Sequence, residues 1–295
     1  MSQADVLRGR SAVITGAARG IGAGLARQLA ARGIRVALLG LEGDRLETVA
    51  RSLPVPTCCY EVDVTDDEAM ERTARAVTRT LGAPSVVIAN AGVAEGGPFA
   101  ASDASTWRRV IEVNLVGSAV TARSFLPQLL SEHGYFLQIA STAAFGSAPL
   151  MSAYCASKAG AESFAQSLRA ELAHQGVTVG IGYVHWTDTD MIQDADHTVL
   201  RELRAHMPPG ARRTYPVDQV AAWLARGVDR RSPTVYAPPW LRCVQPLRPL
   251  LPLVVSAVSR RVLPRLAEQG PVEPTGLLGA GGLADRHASG RARHP

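Results

Sequence analysis

The chain has 295 residues, is 46% hydrophobic and carries a formal net charge of +5, which fits one large or two small globular domains with a sizeable core. The charge comes from scattered Arg, with no basic stripe interleaved with aromatic side chains in the body, which argues against a nucleic-acid partner. Cys58, Cys59, Cys155 and Cys243 have neither CxxC nor framework spacing, so a reducing compartment and no metal site are expected.

The first residues are polar and of mixed charge, without the pattern of a secretory signal, and the expected location is cytoplasmic. Residues 11–15 form a short apolar run ending in Gly16-Ala17-Ala18-Arg19-Gly20-Ile21-Gly22, after which Leu25, Leu29 and Ala30 recur at helical spacing. That pattern predicts strand, glycine turn and helix. Gly33 closes the helix, residues 35–39 make a second strand, 44–52 a second helix, and 57–62 a third strand with Cys58 and Cys59 in its core.

The alternation continues with a helix over 66–80, a strand over 85–89, one long helix over 105–130 and a strand over 135–140. The helix bearing Tyr154 and Lys158 then runs to 173, followed by a strand over 178–184, a helix over 217–227 and a last strand over 234–237. Strict alternation predicts an α/β fold, a single doubly wound parallel sheet with helices on both faces.

The character changes at 238. Prolines interrupt an apolar, Arg-containing extension over 238–269, and residues 270–295, rich in Gly, Pro, Ala and Arg, are expected to be disordered. A bilayer crossing needs about 20 uninterrupted apolar residues, and the prolines leave fewer. Peripheral membrane contact through 241–266 and packing over the pocket or a neighbouring subunit both remain open.

Backbone N–H groups at a helix start are unpaired and carry partial positive charge, so Gly16, Gly20 and Gly22 make an anion site there. The strand before and the helix after are the context a dinucleotide-binding turn requires. Gly40 stands where an acid usually selects NAD, with Glu42 two residues on. Arg19 in the glycine turn could face a 2′-phosphate, and Glu42 could bind a ribose hydroxyl. The expectation drawn is NADP(H) in preference to NAD(H).

Tyr154 and Lys158 lie one helical turn apart, and Lys158 is the only lysine in the chain. A nearby cation stabilises a phenolate, and general acid–base catalysis is best when the catalytic pKa approaches working pH. Ser141 ends the preceding strand, where a parallel sheet lines its crevice.

With these motifs in order, the chain resembles the classical short-chain dehydrogenases/reductases over roughly 8–237. Thr15, Gly16, Arg19, Gly20, Ile21 and Gly22 are similar to the cofactor loop, Asp63-Val64 to the adenine-contacting pair, and Asn90-Ala91-Gly92 to the motif beside the central sheet. Asn114, Ser141, Tyr154 and Lys158 match the catalytic tetrad.

The resemblance implies a Rossmann-type sheet in the order 3-2-1-4-5-6-7, a domain over 1–237, and alcohol–carbonyl interconversion by hydride transfer. Tyr154 would be the acid or base, Ser141 would polarise the substrate oxygen, Lys158 would bind the nicotinamide ribose and lower the Tyr pKa, and Asn114 would hold a relay water. It also implies a homodimer or homotetramer.

One departure stands out. His185-Trp186 replaces the family's Pro-Gly after the sixth strand, while Thr189 keeps the position that contacts the carboxamide. Trp186 is expected to narrow the active-site mouth and His185 to shape substrate choice, unless the pair is a neutral turn variant. The loop with Ala143 and Phe145 resembles the substrate wall; being mostly apolar, it points to an uncharged, hydrophobic alcohol or ketone. A non-catalytic dinucleotide sensor has no chemical need of a full tetrad. A sugar-nucleotide epimerase of the extended group would have a longer substrate domain.

Overall fold

The computed structural model describes residues 7–195, 199–268 and 270–291. The first half alternates β1 (Ser11–Thr15), α1 (Gly20–Ala30), β2 (Arg35–Gly40), α2 (Gly43–Arg51), β3 (Thr57–Glu61), α3 (Asp67–Leu81) and β4 (Val86–Ala89). Next come α4 (Ala104–Ile111), α5 (Gly117–Ser131), β5 (Tyr135–Ser141), α6 (Ser152–Leu172), β6 (Thr178–Val184), α7 (Asp190–Ala195) and α8 (Val199–Ala205). The chain ends with α9 (Val217–Asp229), β7 (Thr234–Ala237), α10 (Leu241–Val244), α11 (Leu251–Glu268) and α12 (Gly279–Arg291).

Seven strands form one sheet in the order β3-β2-β1-β4-β5-β6-β7, all parallel. Each strand's side chains alternate between two cores, as the period of two demands. Val13, Leu39, Val87 and Phe136 face α3, α5 and α6, packing with Met70, Val77 and Phe125. Ile14, Leu38, Ile88 and Leu137 face α1, α2 and α9, packing with Leu25, Leu29, Leu46 and Leu224. Because both faces are covered, the strands are apolar runs rather than alternating ones. The order reverses between β1 and β4, opening the crevice at their C-terminal ends where such sheets bind ligands.

Local chemistry starts the helices. Asp66 accepts from the Ala69 N–H at 2.9 Å and Asp103 from the Thr106 N–H at 2.8 Å, capping α3 and α4. The single helix expected over 105–130 is instead two, joined by a π-helical turn over Glu112–Val116. β3 is an edge strand, so Cys58 and Cys59 are half-buried rather than core.

The C-terminal part corrects two expectations. Residues 241–268 form a helical run of 28 residues with hydropathy 1.2, long and apolar enough to cross a membrane by length and composition alone. Pro252 falls in the first turn of α11, and Pro264 lies inside it, where it removes one intrahelical hydrogen bond. The segment 270–291 is ordered: Leu277, Leu278 and Asp285 are buried and α12 is helical. Residues 292–295 lie outside the described residues.

Candidate active site

The crevice is built on strand ends. Thr15, closing β1, accepts through Oγ1 from the backbone N–H groups of Asn90 and Ala91 at 3.0 and 3.1 Å. Asn90 returns Nδ2 bonds to the carbonyls of Thr15 and Gly16 at 2.9 and 3.2 Å. These bonds lock β1 to β4 beneath the glycine turn. A Cβ at Gly22 would lie 2.2 Å from the Gly16 carbonyl oxygen, so only glycine fits. The start of α1 has no side-chain cap and no acidic residue in its first turn. Such an open N-terminus suits a diphosphate, and the residues therefore fit a dinucleotide.

Glu42, just past β2, faces Arg19. Arg19 Nε donates to Glu42 Oε2 at 2.8 Å, Nη2 pairs with Glu42 Oε1, and Nη1 reaches Asp190 Oδ2 at 2.5 Å. The guanidinium is held between two carboxylates rather than left free for a phosphate. Arg45 Nε approaches Glu42 from the solvent side at 3.5 Å.

At the far end, Tyr154 and Lys158 rise from α6 toward the end of β5, as their spacing requires. The Tyr154 hydroxyl lies near enough to Ser141 for the serine to favour its phenolate, and Lys158 Nζ sits 5.8 Å from the Tyr154 ring centroid. Nζ donates to the Ile139 carbonyl at 3.4 Å, a long bond. Burial draws the Lys158 ammonium down to about 8, because desolvation disfavours its charge. Burial likewise raises the Tyr154 phenol, against a lowering by Ser141. At the Tyr154 phenol desolvation is the largest effect, and it opposes the expected depression by Lys158.

Asn114 lies on the π turn and is fully buried. Its Nδ2 donates to the Val93 carbonyl and Ser157 Oγ, both at 2.9 Å, and its Oδ1 accepts from the Val93 N–H at 2.8 Å. Both amide hydrogens are engaged within the protein, so Asn114 braces α6 against the loop after β4 and keeps only spare Oδ1 acceptor capacity.

Gly16, Arg19, Gly20, Ile21, Asp63, Val64, Asn90, Ala91 and Gly92 line one cleft with Ser141, Tyr154, Lys158, His185 and Thr189. Thr15, Gly22 and Asn114 stand behind that lining. Thr189 packs on the glycine turn, its Cγ2 3.2 Å from where a Gly20 Cβ would be.

A family model described as short chain dehydrogenase matches residues 10–199. The chain belongs to the short-chain dehydrogenase family. It is 31% identical over 192 residues to Nodulation protein G of Rhizobium sp. (strain N33), covering 64% of this chain and 78% of that protein. It is 35% identical over 234 residues to 1-deoxy-11-beta-hydroxypentalenate dehydrogenase of Streptomyces exfoliatus, covering 76% and 82%. In fold it is similar to a short-chain type dehydrogenase/reductase from Mycobacterium marinum, with TM-score 0.71 and 23% identity over 78% of this chain and 94% of that one. A Mycobacterium paratuberculosis short chain dehydrogenase bound to NAD also has TM-score 0.71, at 22% identity over 78% and 97%. Membership makes this short-chain dehydrogenase an oxidoreductase.

Of the four residues expected at the substrate wall, His185 alone lines the cleft. Phe145 is core, 4.8 Å from the Tyr183 ring and beneath Arg248. Ala143 is off the cleft lining, and so is Trp186, which stacks under Arg204 at 5.5 Å. His185 does reach the cleft, but as a fixed neutral ring. Its Nε2 faces the Ala211 carbonyl at 2.6 Å and must carry the proton, leaving Nδ1 to accept from Thr142 Oγ1 at 3.2 Å. Burial pulls its pKa down to about 4.

Met151, Met191, Leu200 and Leu278 form a small apolar cluster packed against Tyr154, of which Met191 and Leu278 line the cleft. Motif reading also missed Glu42's grip on Arg19, and Arg109 and Asp285 beside Asp63. Glu42 was the one with a signal, an acid two residues past β2.

Proposed function

We propose that this short-chain dehydrogenase interconverts an alcohol and a carbonyl on an uncharged, predominantly apolar substrate, with Tyr154 as general acid–base. The observation that carries this reading is the convergence of the Tyr154 hydroxyl, Ser141 and Lys158 at one end of a cleft whose other end is the glycine turn. A nicotinamide dinucleotide, when bound, supplies or accepts the hydride. Ser141 holds the substrate oxygen, and Tyr154 exchanges a proton with it. Lys158 carries a charge below about pH 8 that favours the phenolate once ligand-borne hydroxyls satisfy its ammonium. Asn114 Oδ1 is the acceptor a relay water would use. The apolar cluster of Met151, Met191, Leu200 and Leu278 beside Tyr154 supports a substrate without charge on the side that faces the tyrosine, whereas the Streptomyces relative is named for a hydroxylated carboxylate.

The cofactor reading moves from NADP(H) to NAD(H). A 2′-phosphate would have to separate Glu42 from Arg19, whereas ribose hydroxyls can donate to Glu42 with that pair intact. The test is a panel of hydrophobic alcohols and ketones with both dinucleotides, using Tyr154→Phe as control. Turnover should fall at least 1000-fold in that variant, on the order expected for loss of an acid–base group, with NADH affinity unchanged. Full turnover by Tyr154→Phe refutes the assignment.

A second reading concerns location. Leu247, Leu250, Leu253, Val254 and Val258 are exposed, Leu253 to 69%. Five arginines and a single acid, Glu268, accompany them over 241–268. An exposed apolar helix with cationic side chains suits the surface of an anionic bilayer. The protein should float with vesicles containing phosphatidylserine and less with neutral ones, and Leu253→Asp should abolish flotation. No flotation with either vesicle removes this reading. The assembly is proposed as a homodimer or homotetramer, which sedimentation equilibrium checks.

A further inference from the structure

The segment after residue 270 reaches back across the cleft. Thr275 N donates to the Gly96 carbonyl at 2.8 Å, and Leu278 N donates to the Ala94 carbonyl at 2.9 Å. Leu277 forms an antiparallel bridge with Glu95. Residues 275–278 are thereby strapped onto the loop that follows β4.

α12 then crosses the cleft mouth. Gly279 N donates to Asp194 Oδ2 at 2.9 Å, and a Cβ at Gly279 would lie 2.8 Å from Met191 Cα, so α12 starts in backbone contact with α7. Leu278, Gly281, Ala284 and Asp285 line the cleft together with the glycine turn and Asp63. The cleft side of α12 is small, and a Cβ at Gly281 would meet nothing within 4 Å. The helix covers this space without filling it.

One arginine joins this cover to the adenine end. Arg109 donates Nε to both Asp285 oxygens at 3.0 and 2.9 Å and Nη2 to Asp285 Oδ1 at 2.7 Å. The same Nη2 reaches Asp63 Oδ2 at 2.5 Å, and Nη1 reaches Thr65 Oγ1 at 2.9 Å. Asp285 is only 2% exposed, so Arg109 supplies the partner that a buried carboxylate requires.

We propose that residues 275–291 form a latch over the adenosine half of the bound dinucleotide, with Arg109 fastening Asp285 of the latch to Asp63 of the adenine site. The inference rests on the dinucleotide reading above. A ligand under a closed latch leaves no faster than the latch opens, and linkage requires that bound ligand in turn favour the closed form.

The experiment is stopped-flow displacement of NADH, followed by nicotinamide fluorescence, in the full chain and in three full-length variants. Asp285→Asn removes the charge without changing shape, and Gly279→Val places a side chain where Met191 leaves no room. Leu283→Ala, on the exposed side of α12, is the control. Asp285→Asn and Gly279→Val should each release NADH at least 10-fold faster than the parent, with Leu283→Ala unchanged. As a second readout, saturating NADH should slow tryptic cleavage in the tail of the parent and not of Asp285→Asn. Equal release rates in parent and both variants overturn the latch, as does tighter NADH binding by the variants, which would make the segment a competitor. A parent chain that binds no dinucleotide overturns the functional reading instead.

Discussion

Replacing Lys158 with methionine should stabilise the fold while abolishing turnover. Lys158 is 5% exposed, and its ammonium has one long hydrogen bond, to the Ile139 carbonyl, for three donors. Burial draws its pKa from the ordinary 10.5 to about 8, and that difference corresponds to about 3 kcal/mol of unfavourable charging in the folded state. The pH dependence follows from which state holds the proton. Below about pH 8 both states are protonated and the full cost is present. Between about 8 and 10.5 the unfolded chain holds a proton the folded chain has released, so stability rises with pH. Above that window the cost is gone. Lys158→Met, similar in length and apolar, should therefore gain about 3 kcal/mol in urea unfolding at pH 7, and the gain should shrink by about 2 kcal/mol by pH 9.5. A variant no more stable than the parent at pH 7, or a gain that does not decline with pH, refutes the reasoning. The expected pattern is that of an active-site group retained at a cost in stability.

Three further outcomes follow from other contacts. Glu42→Ala frees Arg19 from its bidentate partner and should move the NADH-to-NADPH affinity ratio toward NADPH by about 10-fold, the scale of one charge-assisted pair; fluorescence titration with both reduced dinucleotides measures it, and an unchanged ratio removes Glu42 as the selector. Arg248 pairs with buried Glu162 at 2.5 and 2.6 Å, and Tyr183 donates to the same carboxylate at 2.6 Å. Because Arg248 is partly exposed, Arg248→Met should cost about 2–3 kcal/mol in urea unfolding, and no loss would mean that the extension does not depend on this pair. Trp186→Gly should leave the order of preference across a ketone panel unchanged, since the ring lies against Arg204 rather than on the cleft lining; a broadened range would show that it reaches substrate.

The sheet was legible because a parallel strand buried on both faces leaves an apolar run, and because the glycine turn marks where the first crossover begins. Chain order alone does not order the strands; the resemblance carried that, and the hydrogen-bonded order agrees with it. The π turn at Glu112–Val116 was not legible, since one extra residue in a helical turn leaves the apolar spacing of the flanking turns intact. The residues proposed as catalytic could be picked out because each belongs to a local motif. Phe145 and Trp186 could not be placed in this way, because nearness in sequence to Ser141 or Thr189 does not say which side of a loop a ring takes. Arg109 carries no motif at all: Asp63 and Asp285, which it joins, are 46 and 176 residues away.

The tail was misread for a reason that bears on how it works. Residues 279–291 include four glycines, and each interior glycine disfavours a helix by about 1 kcal/mol relative to alanine. An isolated helix of about this length is already marginal in water, so composition alone predicts disorder, and for this stretch without the rest of the protein that prediction would be sound. What the composition omits is the surface that receives it: Leu277 and Leu278 become buried against the loop after β4, and Asp285 meets a guanidinium already held by Asp63. Burying two leucines contributes about 3–6 kcal/mol, enough to offset the term from the interior glycines Gly281 and Gly282, so docking favours a helix that its composition disfavours. A segment balanced in this way can open without disturbing the sheet beneath it, as a cover that must admit and release a ligand has to do.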